Sequence, residues 1–174
     1  TAIFVMLLPA GHEAQARAGM LSRAGRCFTF DARADGFMKG EGSGGVALQP
    51  DGQQLRAARA VLRGRAVRQD GRSASLTAPN GAAQQALCEH AMQVGSVAAS
   101  QVALLEAHGT GTALGDPTEV SSLCEAVLKA RGSQAAPLAL GSVKANTGHA
   151  EPAAGLSGLS MLLLKVEATT SSPN

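Results

Sequence analysis

Two histidines stand in short runs of small polar residues, each following an apolar stretch. The first run is Glu106-Ala107-His108-Gly109-Thr110-Gly111-Thr112 and the second is Lys144-Ala145-Asn146-Thr147-Gly148-His149-Ala150-Glu151. An apolar strand that ends in glycines before a helix start is how open α/β folds present side chains to a ligand. Two such loops predict one site built from two strand ends. Neutral imidazoles aimed at one spot can donate hydrogen bonds to an oxygen as negative charge develops on it, and either can move a proton near neutral pH. Lys144, five residues before His149, would hold positive potential nearby, with Glu151 available to pair with it. Thr110 and Thr112 alternate with Gly109 and Gly111, so their hydroxyls can meet an extended amide-containing ligand at close range.

Other chemistries fit poorly. No third ligand lies at helical or turn spacing from either histidine, so no metal site is expected. Gly109, Gly111 and Gly115 miss the dinucleotide-loop spacing by one residue, and residues 141–148 carry Lys and Gly in the wrong order for a P-loop. Ser157 has Gly155 before it but Leu159 after it, so it is no nucleophile elbow. Cys27, Cys88 and Cys124 sit in settings that mark none of them as a nucleophile; Cys124 reads as a core residue. His12 and His90 fall in helical contexts and read as structural.

The 174 residues are 45% apolar but only 2% aromatic, with no Trp or Tyr. That is enough for a core built from Ala, Val, Leu and Gly, which suits helices packed closely on a sheet. It argues against single-stranded nucleic acid binding, which uses aromatic stacking platforms. A net charge of +2 implies no polyanionic partner. An odd cysteine count without metal spacing fits a reducing intracellular compartment such as cytoplasm or plastid. No run reaches transmembrane length, and the apolar start lacks the basic region of a signal peptide.

The elements that must carry the two loops alternate. A strand is predicted over 1–8 and a helix over 13–18. A glycine-rich loop at 40–45 should lead into a strand at 46–48, followed by a helix over 53–60 and a strand over 61–67. Residues 69–79 read as a polar loop. Asn80 should cap a helix running to about Val94, with Gly95 as its stop. A strand over 102–105 precedes His108. Asp116-Pro117-Thr118-Glu119 has the pattern of an N-cap, an N1 proline and a capping box for a helix to about Ala130. A strand over 137–143 delivers Lys144. Pro152 should open a last helix through about Val166, with Gly155 and Gly158 leaving a flat face for close packing. The tail from residue 169 reads as frayed. This order predicts a layered α/β fold.

At the two loops the chain closely resembles the β-ketoacyl synthase family, in particular the ketosynthase domains of polyketide synthases. The matching stretches are residues 106–119 and 141–149, with further agreement at 30–42, 69–73 and 76–81, all in the family's order. The resemblance implies an incomplete thiolase-like fold. Residues 1–68 would close its N-terminal half, and 69–174 would form part of its C-terminal half. It implies decarboxylative Claisen condensation of an acyl-cysteine thioester with a malonyl-type unit on acyl carrier protein. His108 and His149 would be the active-site histidines, Lys144 the lysine supporting them, and Thr110 and Thr112 the contacts to the phosphopantetheine arm. Glu151 and Asn146 would take supporting places. No cofactor is expected beyond that carrier arm, and the full-length domain is expected to be a homodimer. The family's nucleophilic cysteine has no counterpart here, so the chain is expected to be a ketosynthase fragment unable to condense alone. Arg56, Arg59, Arg63, Arg65, Arg68 and Arg72 form a basic run, read as a solvated face or as a docking patch for an acidic carrier protein. A fatty acid β-ketoacyl synthase, or a non-condensing chain-length or structural partner, is the alternative.

Overall fold

A computed structural model describes residues 1–50, 58–75, 78–132 and 136–168. Strand β1 (Ala2–Phe4) leads to helix α1 (Pro9–Arg17) and strand β2 (Gly42–Gly44). Helix α2 (Gly81–Gly95) precedes strand β3 (Leu104–Glu106) and helix α3 (Gly115–Leu123). Helix α3 runs on through a π-turn (Cys124–Leu128) and a 3-10 turn (Lys129–Arg131). Strand β4 (Ala139–Gly141), the one-turn helix α4 (Lys144–Thr147) and helix α5 (Ala154–Glu167) complete the order. This is the strand–helix alternation expected of an α/β chain.

The described strands form two pairs. β1 and β2 are antiparallel, with Ile3 opposite Ser43. β3 and β4 are parallel, with Leu105 opposite Leu140 and Glu106 opposite Gly141. The parallel pair matters for function, because both strands end at the same edge. The His108 loop leaves β3 there, and Lys144 follows β4 there. Helix α5 lies against β3 at Gly158, where an added Cβ would come within 3.1 Å of Glu106 Cγ. Gly155 faces open space, so only one of the two glycines expected on the flat face makes a close approach.

The Asn80 cap is present: its side chain accepts the Ala83 amide at 3.2 Å. The helix ends at Gly95, with Ser96 in the left-handed region at φ 49°. Ser122 on α3 donates to the Gly81 carbonyl at 3.0 Å, locking α3 to the start of α2. Pro152 opens a 3-10 turn (Glu151–Ala153) that feeds α5.

Four expectations need correction. The first strand spans three residues rather than eight, and Leu7 and Leu8 beyond it are exposed. The second strand forms within the glycine run and not at 46–48. There the missing side chain of Gly44 lets Leu156 pack at 3.5 Å from the Cβ position. Residues 58–60 are not helical, while the rest of the helix placed over 53–60 lies outside the described residues. Residues 61–67 form no strand. Gly64 instead lies against the end of α2, so close that an added Cβ would meet the Ala91 carbonyl oxygen. Backbone contact with a helix replaces sheet pairing, and Val61, Leu62 and Val67 are exposed. The tail from residue 169 lies outside the described residues.

Candidate active site

The loop after β3 carries His108, and its shape is set by carboxylates. Glu119, one turn into α3, accepts the amides of His108 (2.6 Å) and Gly109 (2.8 Å). Asp116, 4% exposed, accepts the amides of Gly111 (3.0 Å), Thr112 (3.2 Å) and Phe30 (2.9 Å). The capping-box expectation therefore needs correction. The residue at the N-cap of α3 is Leu114, which makes no side-chain cap. The two carboxylates turn back onto the preceding loop, while Thr112 accepts the amides of Gly115 and Asp116 at the helix start. The loop's backbone explains its glycines. Gly109 sits at φ 46°, where an added Cβ would lie 2.6 Å from Ser142 Cβ and 2.8 Å from Thr29 Cγ2. Thr29 closes the loop from the other side by donating to the Gly109 carbonyl at 2.6 Å.

His149 is delivered differently. Its amide donates to the Met38 carbonyl at 2.7 Å, and its carbonyl accepts the Gly40 amide at 3.0 Å. This bridge binds it to residues 38–40. Its Nδ1 accepts the Glu151 amide at 3.3 Å. The edge of Phe37 meets its ring at 5.2 Å between centroids.

The two imidazoles come together, with centroids 5.2 Å apart and planes at 88°. Both line a cavity of about 820 Å³, together with Thr110, Thr112, Glu119 and Glu151. Thr110 is buried, and its hydroxyl lies 3.4 Å from that of Thr112, which also accepts the Gly115 amide at 3.2 Å. Neither His12 nor His90 lines the cavity; both are exposed on their helices. Asn146 is exposed on α4 and does not line it either.

Lys144 is 4% exposed, and its charge reaches both histidines. Burial lowers its pKa against the opposing pull of Glu106, Glu119, Cys27 and Asp116. Glu106 accepts the Val143 amide at 2.5 Å, which fixes the turn into Lys144; its second oxygen is buried without a hydrogen bond among the described residues. Burial, then the Lys144 charge, pushes His108 down, against Glu119 and Asp116. Burial, His108 and Lys144 push His149 down to about 4, with Glu151 opposing and Lys39 adding. Both rings are therefore neutral near pH 7, the form that donates a hydrogen bond without a fixed charge.

The expected partner of Glu151 needs correction. Its carboxylate pairs with Lys39 at 3.0 Å, not with Lys144, and also accepts from Gln15 Nε2 at 3.0 Å. Lys39, Phe37, Asp116 and Glu119 are site residues that the sequence did not flag as such. Lys39 lies 112 positions from Glu151, so no local spacing signals the pair.

The cysteines serve other ends. Cys27 is buried, donates to the Met38 carbonyl at 3.7 Å and accepts the Met38 amide at 3.3 Å. Burial pushes the Cys27 and Cys88 thiols up, away from the reactive thiolate. Among the described residues, no group of three His, Cys, Asp or Glu is placed to hold a metal. No described helix is long and apolar enough to cross a membrane.

Two facing histidines and a buried lysine thus meet beside the parallel strand pair, and comparison with known proteins places the chain in a family. Residues 2–54 match the β-ketoacyl synthase N-terminal domain and residues 59–174 the β-ketoacyl synthase C-terminal domain. The chain belongs to the β-ketoacyl synthase family. It is 47% identical over 168 residues to one of the phenolphthiocerol/phthiocerol polyketide synthase proteins of Mycobacterium tuberculosis, covering 93% of this chain and 7% of that protein. It is 49% identical over 162 residues to a second phenolphthiocerol/phthiocerol polyketide synthase protein of the same species, covering 90% of this chain and 10% of that protein. Among solved structures, an oxazolomycin ketosynthase domain of Streptomyces albus JA3453 superposes with a TM-score of 0.90 at 36% identity, over 95% of this chain and 29% of its own. The ketosynthase from module 6 of the Bacillus subtilis 168 bacillaene synthase gives 0.91 at 32% identity, over 99% and 31%. The fold is thus a partial thiolase-like one, and the chain spans less than a third of the ketosynthases it matches.

Proposed function

We propose that this chain supplies the decarboxylating half of a polyketide ketosynthase site. The observation that carries the proposal is the facing of His108 and His149 across 5.2 Å on one cavity wall. In the reaction, a malonyl-type thioester on acyl carrier protein loses its carboxylate. The carbon–carbon bond to that carboxylate breaks, carbon dioxide leaves, and the electron pair moves onto the thioester oxygen as an enolate. Two neutral imidazoles donating N–H bonds to that oxygen stabilise the charge where it develops. The enolate carbon then attacks the acyl-cysteine thioester, forming the new carbon–carbon bond and releasing the thiolate. That cysteine is assigned to a part of the parent protein outside this chain, as none of the three cysteines here is placed for the role.

Lys144 adds positive potential from the interior, and its burial makes that potential stronger than a solvated lysine would supply. The Thr110 and Thr112 hydroxyls are assigned to the amide-bearing phosphopantetheine arm. Asn146 is assigned a supporting place in the turn after Lys144. Arg63, Arg65, Arg68 and Arg72 are exposed, which suits docking of the acidic carrier. Arg59 is already paired with Glu167 at 2.5 Å. The parent domain is assigned as a homodimer.

The test is decarboxylation of malonyl-carrier by the intact protein carrying this chain. His108→Ala and His149→Ala should each lower the rate roughly 10²–10³-fold, the effect of losing one oxyanion donor. A rate unchanged in both variants overturns the proposal.

A further inference from the structure

Residues 38–40 hold His149 twice. Their backbone binds the backbone of His149 on both sides, and the side chain of Lys39 reaches the residue that bonds the ring. The Lys39 side chain is only 6% exposed; its ammonium lies 3.0 Å from Glu151 Oε1 and 5.1 Å from the centroid of Phe4. Glu151 stands at φ 42°, a conformation unfavourable for a non-glycine residue unless its surroundings hold it. In that conformation its amide points at His149 Nδ1. A ring nitrogen that accepts an N–H bond carries no proton, so the imidazole proton is placed on Nε2.

We infer that Lys39 is a positioning residue for His149. Its ion pair pins Glu151 in the left-handed conformation, the pinned amide occupies Nδ1, and the ring is thereby kept in the tautomer whose Nε2–H can donate to substrate. Lys39 itself touches no substrate. The inference rests on the condensing role proposed above for its catalytic meaning, but not for its structural content. An ion pair with a nearly buried lysine is an expensive way to hold a surface turn. Its cost makes sense where the turn must present one amide to one ring nitrogen.

The charged and titratable groups facing His149 are His108, Lys144, Lys39 and Glu151. The two members of the pair act on it with opposite sign: the Lys39 charge disfavours the imidazolium and the Glu151 carboxylate favours it. Lys39→Met should therefore raise the pH at which His149 titrates, and Glu151→Gln should lower it.

The experiment is histidine-selective ¹⁵N NMR of the intact protein, run beside malonyl-carrier decarboxylation, for wild type, Lys39→Met, Lys39→Arg and Glu151→Gln. Wild type should show His149 with Nδ1 unprotonated, and Lys39→Met a mixture of tautomers. Its kcat should fall about 10–100-fold, the usual cost of losing a supporting partner, with KM unchanged. Lys39→Arg should restore most of the rate. Identical His149 nitrogen shifts in wild type and Lys39→Met overturn the inference. So does a titration that moves the same way in Lys39→Met and Glu151→Gln. If wild type does not decarboxylate at all, the condensing proposal falls, while the nitrogen shifts still decide whether Lys39 sets the tautomer.

Discussion

His108 is placed through its backbone, by Glu119 accepting hydrogen bonds from the amides of residues 108 and 109. His149 is held by its backbone against residues 38–40 and also by its ring, at Nδ1 and against Phe37. The first arrangement leaves both ring nitrogens of His108 without a protein hydrogen bond among the described residues, so its orientation can adapt to what enters the cavity. The second fixes both the tautomer and the plane of His149. One member of the pair is thus adjustable and the other preset. A site that must follow an oxygen through a change of charge can use both, the preset ring to define the position and the adjustable one to follow it.

Removing the support shared by the whole first loop should have the largest effect. Asp116→Ala leaves the buried amide of Gly111 and the part-buried amides of Phe30 and Thr112 without their acceptor, and each lost charge-assisted bond counts. The expected destabilisation is about 3–5 kcal/mol, measured by chemical denaturation of the intact protein. A loss under ~1 kcal/mol would mean that the loop is held by something other than its carboxylates.

A smaller change separates the two histidines. Gly109→Ala puts a Cβ at φ 46° against Ser142 and Thr29 and should cost roughly 1–3 kcal/mol. It should displace His108 while leaving the Nδ1 contact of His149 intact. Decarboxylation should fall with the His149 nitrogen shifts unmoved; a shift at His149 would show that the two loops move as one.

The smallest effect expected is in pH dependence. The folded protein holds His149 at about 4, below the ordinary value of 6.5. Below pH 6.5 the unfolded chain binds the proton and the folded one does not. The contribution of neutral His149 to stability is therefore complete above about pH 6.5 and is lost as pH falls toward 4. His149→Gln should flatten the fall in melting temperature over that window. An equal slope in wild type and variant would mean that His149 titrates normally.

Much of the site was legible in the sequence because strand-end loops announce themselves: His108, His149, Lys144, Thr110 and Thr112 all follow a short apolar strand. The structure brings the two histidines and two threonines to one cavity, with Lys144 buried beneath. What was not legible was which groups the carboxylates would choose. Asp116 and Glu119 have capping-box spacing, and spacing alone cannot say whether a carboxylate serves the helix start or the loop before it. Glu151 could be matched only with a cation near it in sequence, while its partner Lys39 arrives through a bridge between segments far apart. The fold shows the same division. Helix α2, with its cap and stop, could be read locally. The runs at 46–48 and 61–67 have strand-like composition, but tertiary neighbours decided against them: Leu156 packs on Gly44, and the end of α2 lies on Gly64.

The bond from Asp116 to the amide of Phe30 spans 86 residues, and that of Thr29 to the Gly109 carbonyl spans 80. They set a schedule for the ribosome. At about 5–20 residues per second, roughly 4–17 s pass between the emergence of Phe30 and that of Asp116. Through that interval the segment around Phe30 has no carboxylate to receive it. The loop that carries His108 consequently cannot close onto the segment around Phe30 until Asp116 has been made, and a nascent chain paused before Asp116 presents no formed His108 loop.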